Sequence, residues 1–494
     1  MDLAIALSRQ SKIPLRRQLY EELRQAILNG RLSPGQKLPS TRSLASSLGI
    51  SRIVVTQSYE QLLDEGYLQT IVGSGTFVGA QLPDDLLHSA SPPSAKKIAR
   101  LSIKLSHYGA QLAELSIPET VEPDAPISFR YGRPAFDQFP MQLWRKLLSR
   151  HLRSSLDWLD YATDPLGHRP LREAIARYLS RSRAVQCEPD QILIVNGTQQ
   201  ALDLIARLLA NPGETIAVEE PGYLGVRQHT FLAREAKLLP IRVDELGLVV
   251  EQLATFPSDN IKLVYVTPSH QFPTGAVLSL QRRLELLFWA QQTGAMIIED
   301  DYDSEYRYEG QPIPALYGLD SSSTVIYIGS FSKMLFPSLR IGYLVLPHQW
   351  VPVFARAKWL VDRQLPLLEQ YVLADFIEEG HLERHLRRMR LHYDDKRQVL
   401  VQALKVHLGE RATILGENAG IHLMVRLHTN LSDEEIICRA SQMGVGIVTA
   451  KPYYLQAAPT KEFLFGYSAL TVQQLQEGIR RLADILASSD AHSS

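Results

Sequence analysis

The sequence predicts two folds in one chain: a small helical head closed by a β-hairpin, and a large α/β body on a mostly parallel sheet. Three observations carry that expectation. Residues 1–80 hold three short amphipathic segments, then two strand-like runs around glycines. From Ile127 onward, apolar runs of strand length alternate with amphipathic helical patterns, as in sheets covered by helices. Between these regions lies a stretch rich in proline, serine and lysine. A chain of 494 residues also exceeds what one core holds. The expected boundaries are 1–79 for the head, 80–124 for a linker and 125–494 for the body.

In the head, Leu15, Leu19, Leu23, Ala26 and Ile27 recur at helical spacing after Pro14, and Asn29-Gly30 stops the helix. Ser33-Pro34-Gly35 is a turn. Ser40 is placed to cap a second helix carrying Leu44, Ala45 and Leu48, which Gly49 ends. Ser51 caps a third helix carrying Val54, Val55, Tyr59, Leu62 and Leu63, ended by Gly66. Tyr67–Val72, Gly73-Ser74-Gly75 and Thr76–Val78 then read as strand, turn and strand. Three helices and a hairpin make a winged helix-turn-helix. In the linker, Ser91-Pro92-Pro93-Ser94, Lys96-Lys97 and Pro118 interrupt regular structure, with one short helix expected near 101–115.

In the body, the strand-like runs are Ile192–Val195, Thr215–Val218, Ile261–Val266, Ala295–Ile298 and Thr324–Ile328. Ligands of such sheets bind at the carboxyl ends of strands, and polar clusters stand there. Asn196-Gly197-Thr198-Gln199 is a glycine turn entering a helix, whose free N–H groups suit a phosphate. Glu220-Pro221-Gly222-Tyr223 presents a ring. Asp300 belongs to Glu299-Asp300-Asp301-Tyr302; the plain reading is a solvated acidic turn, but the preceding Met296-Ile297-Ile298 sets it at a strand end. Ser330, Ser332 and Lys333 follow the last run, and Arg340 comes seven residues later. These are the parts that pyridoxal phosphate requires. It needs an amine for a Schiff base, a carboxylate to keep its ring nitrogen protonated and an aromatic ring to stack on. Hydroxyls, amides and an arginine take its phosphate.

Net charge is −1, so the chain as a whole is no electrostatic nucleic-acid binder, yet residues 1–80 hold nine Lys/Arg against six Asp/Glu. Cys187 and Cys438 lie far apart without zinc or CxxC spacing, which implies a reducing compartment. No signal-peptide pattern opens the chain and no apolar run approaches membrane-spanning length, so a cytoplasmic protein is expected. His381 and His385, followed by Arg387, Arg388 and Arg390, read as a solvated helix face, and no metal site is expected.

The order and spacing of the body's polar residues resemble the fold-type I aminotransferases over residues 127–490. The resemblance implies Lys333 as the catalytic, Schiff-base lysine and Asp300 as partner of the ring nitrogen. Tyr302 would stand beside the cofactor's phenolic oxygen, and Tyr223 would stack on the ring. Gly197, Thr198, Gln199, Ser330 and Arg340 would bind phosphate. Tyr161, in Tyr161-Ala162-Thr163-Asp164-Pro165-Leu166-Gly167, matches the tyrosine that reaches the phosphate of a neighbouring subunit in a homodimer. Two positions depart from the pattern. Phe272, in Ser269-His270-Gln271-Phe272-Pro273-Thr274-Gly275, replaces an asparagine, with His270 or Gln271 as substitutes. Leu464, in Phe463-Leu464-Phe465-Gly466-Tyr467, replaces the arginine that holds a substrate carboxylate, with Arg133 or Arg227 as other sources of charge.

In the head, Leu38-Pro39-Ser40-Thr41-Arg42 followed by Leu48-Gly49-Ile50-Ser51-Arg52 resembles the GntR-type winged helix. This implies a third helix in the major groove, with Arg42 and Arg52 at phosphates or guanine edges. Ser51, Thr56 and Gln57 would face DNA from the same helix, and Gly73 would set the wing tip against the backbone. A lone arginine is usually a solvated charge; within this complete pattern, DNA contact is the better reading. A GntR head on an aminotransferase-like body is similar to the MocR family of bacterial regulators, of which GabR is the best-known type. The implied function is a pyridoxal-phosphate-dependent transcriptional regulator. It would be a homodimer on double-stranded operator DNA with two half-sites, sensing an amine, an amino acid or the vitamer. The rivals are a working aminotransferase with an accessory DNA-binding head, and a scaffold that has lost its cofactor.

Overall fold

The computed structural model describes residues 13–80, 104–114, 125–154, 157–161, 164–226, 235–257, 261–308 and 313–490, with Ile5, Leu7, Ser8, Ser11 and Leu82. They fall into two compact units, Met1–Lys104 and Leu105–Ser494. The proline and lysine clusters expected in the linker lie outside the described residues, and a short helix stands at His107–Glu114.

The head consists of α1 (Leu15–Leu28), α2 (Thr41–Leu48), α3 (Arg52–Asp64), β1 (Leu68–Ile71) and β2 (Gly75–Val78). Ser40 Oγ accepts the Ser43 N–H at 3.1 Å and so caps α2. Gly49 ends that helix at φ 63°, a conformation that glycine adopts without strain. Ser51 occupies the cap position of α3, but its side chain makes no capping hydrogen bond. The hairpin pairs Leu68 with Val78 and Ile71 with Gly75. Leu19 and Leu23 of α1, Val55 and Leu62 of α3 and Val78 of β2 are fully buried together. Burial of each such side chain contributes about 1.5–3 kcal/mol. Tyr59 donates its hydroxyl to the Pro39 carbonyl at 3.0 Å, tying α3 to the turn before α2.

The body's strands are β3 (Ile127–Ser128), β4 (Ile192–Val195), β5 (Thr215–Glu220), β6 (Lys237–Asp244), β7 (Gly247–Leu248), β8 (Ile261–Val266), β9 (Met296–Asp301), β10 (Val325–Ser330) and β11 (Gly342–Val345). β12 (Ala412–Leu415), β13 (His422–Leu427), β14 (Val445–Gly446), β15 (Val448–Thr449) and β16 (Glu462–Gly466) follow. Eight of them form one sheet in the order β4-β11-β10-β9-β8-β5-β6-β7. Only β11 and β7 run against the rest. Ile192 and Ile194 enter one core while Leu193 and Val195 enter another, so β4 is covered on both faces and reads as an unbroken apolar run. A second, antiparallel sheet has the order β12-β13-β16-β15, and β3 pairs with β14.

The helices that matter for the sites are α4 (Arg169–Arg183), α5 (Gly197–Leu209), α6 (Leu280–Thr293) and α7 (His381–His407). One expectation fails on α7. His385 is buried, and its Nε2 donates to the Met334 carbonyl at 3.1 Å. Helical spacing puts it on the inward face with Leu382 and Met389, and burial pushes its pKa down to about 4. His381, one turn earlier, is half-buried and lies 3.1 Å from Glu379.

Candidate functional site

A cavity of about 260 Å³ opens at the carboxyl ends of β5, β8, β9 and β10. Thr198, Gln199, Tyr223, Asp300, Tyr302, Ser330, Lys333 and Arg340 all line it. The topology explains their meeting. Lys333 lies in the connection between β10 and its antiparallel neighbour β11, just beyond Ser330. β11 in turn pairs with β4, Gly342 opposite Val195, which returns Arg340 to the start of α5. There Arg340 Nη2 donates to the Asn196 carbonyl at 2.8 Å. Gly197 sits at φ 74°, and a Cβ on it would lie 2.9 Å from Arg340 Nη2, so only glycine leaves the arginine its place. Arg340 itself holds φ 52°, a left-handed conformation whose cost is on the order of 1 kcal/mol.

Lys333 Nζ donates to the Gly132 carbonyl at 3.1 Å and stands 4.9 Å from the centre of the Tyr131 ring. Burial pushes its pKa from the ordinary 10.5 down to about 8, opposed by Asp303 and Asp300. Asp300 accepts the Tyr265 hydroxyl at Oδ2, 2.7 Å away, while Oδ1 is buried with no partner among the described residues. Burial pushes this carboxyl up to about 7. The Tyr302 hydroxyl is 2.9 Å from His270 Nδ1, which also lies 2.9 Å from Asp303.

The two departures from the aminotransferase pattern are resolved in space. Phe272 lines the cavity; His270 and Gln271 do not. Gln271 instead spends its amide on the carbonyls of Pro221 and Phe272, at 2.8 and 2.6 Å. Leu464 is fully buried in an apolar cluster with Phe272, Met424 and Ala450, against Tyr131 and Tyr453. Arg133 is exposed over the Phe136 ring, and Arg227 lies outside the described residues. Tyr161 is 67% exposed, packs 4.2 Å from the Arg363 guanidinium and does not line the cavity of its own chain. Its neighbours Ala162 and Thr163 are outside the described residues. Sequence reasoning missed Tyr131, Tyr265 and Thr267. Tyr265 left a signal, a hydroxyl in the otherwise apolar second half of β8.

On the head, Arg42, Ser51, Arg52, Gln57 and Gly73 are exposed and Thr56 is half-buried. Arg52 Nε lies 3.4 Å from Thr41 Oγ1, joining the starts of α2 and α3. Two apolar residues share this exposure: Ile53 at 67% and Val72, at the wing tip, at 98%. Ile53 falls outside the inward-facing set Val55, Tyr59 and Leu62, which is the signal that singles it out.

The cavity and the head together define a class: a fold-type I aminotransferase body joined to a winged helix-turn-helix. Residues 127–482 match the family "Aminotransferase class I and II", and residues 15–78 match "Bacterial regulatory proteins, gntR family". The chain is 41% identical to the probable rhizopine catabolism regulatory protein MocR of Rhizobium meliloti, over 97% of this chain and 95% of that one. It is 34% identical to the transcriptional regulator TauR of Rhodobacter capsulatus, over 96% of each. Among solved structures, the multiple substrate aminotransferase from Thermococcus profundus superposes with a TM-score of 0.71 at 27% identity, covering 78% of this chain and 98% of that one. The chain belongs to the GntR-family helix-turn-helix transcriptional regulators of the MocR type, whose body is aminotransferase-like. No helix among the described residues is long and apolar enough to cross a membrane.

Proposed function

We propose that the body holds pyridoxal 5'-phosphate on Lys333, and that an amine, an amino acid or the vitamer engaging it shifts the spacing of two DNA-binding heads in a homodimer. The observation that carries this reading is one cavity gathering a buried amine, an unpaired buried carboxylate oxygen and a phosphate cradle. The residues fit the cofactor: a protonated ring nitrogen is the donor that Asp300 Oδ1 lacks. Bound there, pyridoxal phosphate supplies an aldehyde that condenses with amines and a ring that withdraws electrons. Lys333 provides the anchoring amine. Asp300 holds the proton on the ring nitrogen, and Tyr223 covers the ring. Ser330, Thr198, Gln199 and Arg340 bind the phosphate with the free N–H groups at the start of α5. The exposure of Tyr161, away from its own cavity, supports a homodimer in which the partner's Tyr161 completes the phosphate site. Paired heads would read two half-sites, and an effector that favours one body geometry would favour one head spacing.

The apolar wall of Phe272, Met424 and Leu464 supports sensing over turnover. Transamination requires a substrate clamped so that its Cα–H bond stands perpendicular to the ring, usually by a bidentate arginine. This wall offers no guanidinium. We expect an added amine to change the visible spectrum of the holoprotein and its operator affinity, with amino-acid to keto-acid conversion slower than about 1 per second. Sustained conversion at or above that rate would promote the aminotransferase reading.

Lys333 also sets a pH dependence. Its free base is the nucleophile, and a pKa lowered to about 8 delivers that base well below the range of an ordinary lysine. The rate at which the cofactor-free chain captures pyridoxal phosphate should rise with pH and level off above about 8. Because Asp303 opposes the shift, Asp303→Asn should move the profile to lower pH. Stopped-flow absorbance across pH checks both, and a rate still climbing near the ordinary 10.5 would contradict them.

A further inference from the structure

A second cavity, of about 440 Å³, lies in the body on residues that the cofactor reading does not use. Five arginines and two glutamates line it. Two of the arginines are held by the protein itself. Arg283 donates to the carbonyls of Leu278, Pro314 and Pro268 at 2.9, 3.0 and 2.7 Å. Arg183 pairs with Asp301 at 2.7 Å and reaches Ser269 Oγ at 2.5 Å. The other three, Arg307, Arg387 and Arg390, have no carboxylate within ion-pair distance among the described residues.

We propose that this cavity is a ligand site for a small molecule bearing an anionic oxygen group, a phosphate or a carboxylate. The charge excess is one support. The unmet hydrogen-bonding capacity is the other: Arg307 Nε and Ser304 Oγ are buried and have no partner among the described residues. A buried guanidinium N–H without an acceptor is costly, and an anionic oxygen is the acceptor it lacks. The two glutamates do not forbid this. Glu383 is paired with Arg181 at 2.8 Å, and Glu305 sits 3.1 Å from the Tyr178 hydroxyl, its carboxyl pushed up by burial to about 7, so its acid form can donate.

The position gives such a ligand a route to the first cavity. Successive residues of a strand face opposite ways: on β9, Asp300 turns to the cofactor cavity and Asp301 to Arg183. Ser269, bonded to Arg183, is followed by His270, which touches Tyr302 on the cofactor wall. An anion drawing on Arg183 would pull on both connections.

The test is calorimetric titration of the full chain with inorganic phosphate and, separately, with succinate. Pyridoxal phosphate is present at saturation, so that the cradle at Arg340 is filled. The expected result is one saturable site with a Kd at or below about 1 mM for at least one anion, the tighter anion naming the source. Arg387→Glu and Arg307→Gln should each weaken it at least about tenfold. Arg387 is exposed, so its substitution leaves the fold intact, which circular dichroism verifies. No saturable heat with either anion, or binding that neither variant weakens, would overturn the proposal. Repeating the titration on Arg340→Ala without cofactor keeps the test valid if Lys333 carries none. Failure here therefore stays distinct from failure of the cofactor reading.

Discussion

Lys333→Ala is expected to remove covalently held cofactor from the protein. The visible absorption of the bound cofactor should vanish, and borohydride should fix no cofactor to the peptide that contains position 333. Losing an anchor that converts a bimolecular encounter into an attached one should weaken retention at least about 100-fold. The fold should survive, because Lys333 Nζ makes one neutral contact, to the Gly132 carbonyl. Asp300→Asn provides the contrast. It keeps the anchoring amine and the acceptor for the Tyr265 hydroxyl but loses the charge opposite the ring nitrogen. This variant should still be fixed by borohydride while its absorption maximum shifts. A fixed cofactor found on another lysine would refute the assignment of Lys333.

Arg42→Ala and Arg52→Ala together should abolish specific binding to a two-half-site operator. Both side chains are exposed, so removing them should alter stability by no more than about 0.5 kcal/mol. If each contacts phosphate, each loss should lower the salt slope of binding by about one. If either reads a guanine edge, its loss should cost about 1–3 kcal/mol per half-site and relax sequence preference there. A homodimer makes each contact twice, so the double variant loses four. The cofactor spectrum should not change. Splitting the operator into single half-sites should weaken the unaltered protein sharply, because the second head then gains nothing from being tethered. Unaltered affinity in the double variant would remove these arginines from the interface.

The head was legible almost residue by residue because its elements are local. Ser40, Gly49 and the glycines of the hairpin turn act within a few positions of themselves. What the local pattern could not show was whether Ser51 spends its hydroxyl on the cap, since that depends on where the side chain turns. In the body, the strands that were foreseen are apolar throughout. β6 escaped because Pro240 and three charged residues interrupt it, and β11 because it has only four residues beside a loop. β9 and β10 extend past their apolar stretches into Asp301 and Ser330, whose polar groups are buried with partners. The motif residues of the candidate site were visible through their order. Tyr131 and Thr267 were not, because a tyrosine or threonine in a loop has no periodicity to betray it. The depth of His385 was hidden too: its neighbours in sequence are charged, while those one turn away are not.

The short pairing of β3 with β14 joins Ile127 to Val445, and β16 enters the small sheet between β13 and β15 only after residue 462. The head, by contrast, closes its core with residues between Leu19 and Leu82. Contacts so distant in sequence form late, and contacts so near form early. On the ribosome, the head has all of its core soon after its first eighty or so residues emerge, whereas the body waits for nearly the last of its chain. A growing chain therefore acquires the fold that reads DNA well before the fold that could restrain it. Truncated products of such a gene would be DNA-binding fragments with nothing attached to answer to an effector.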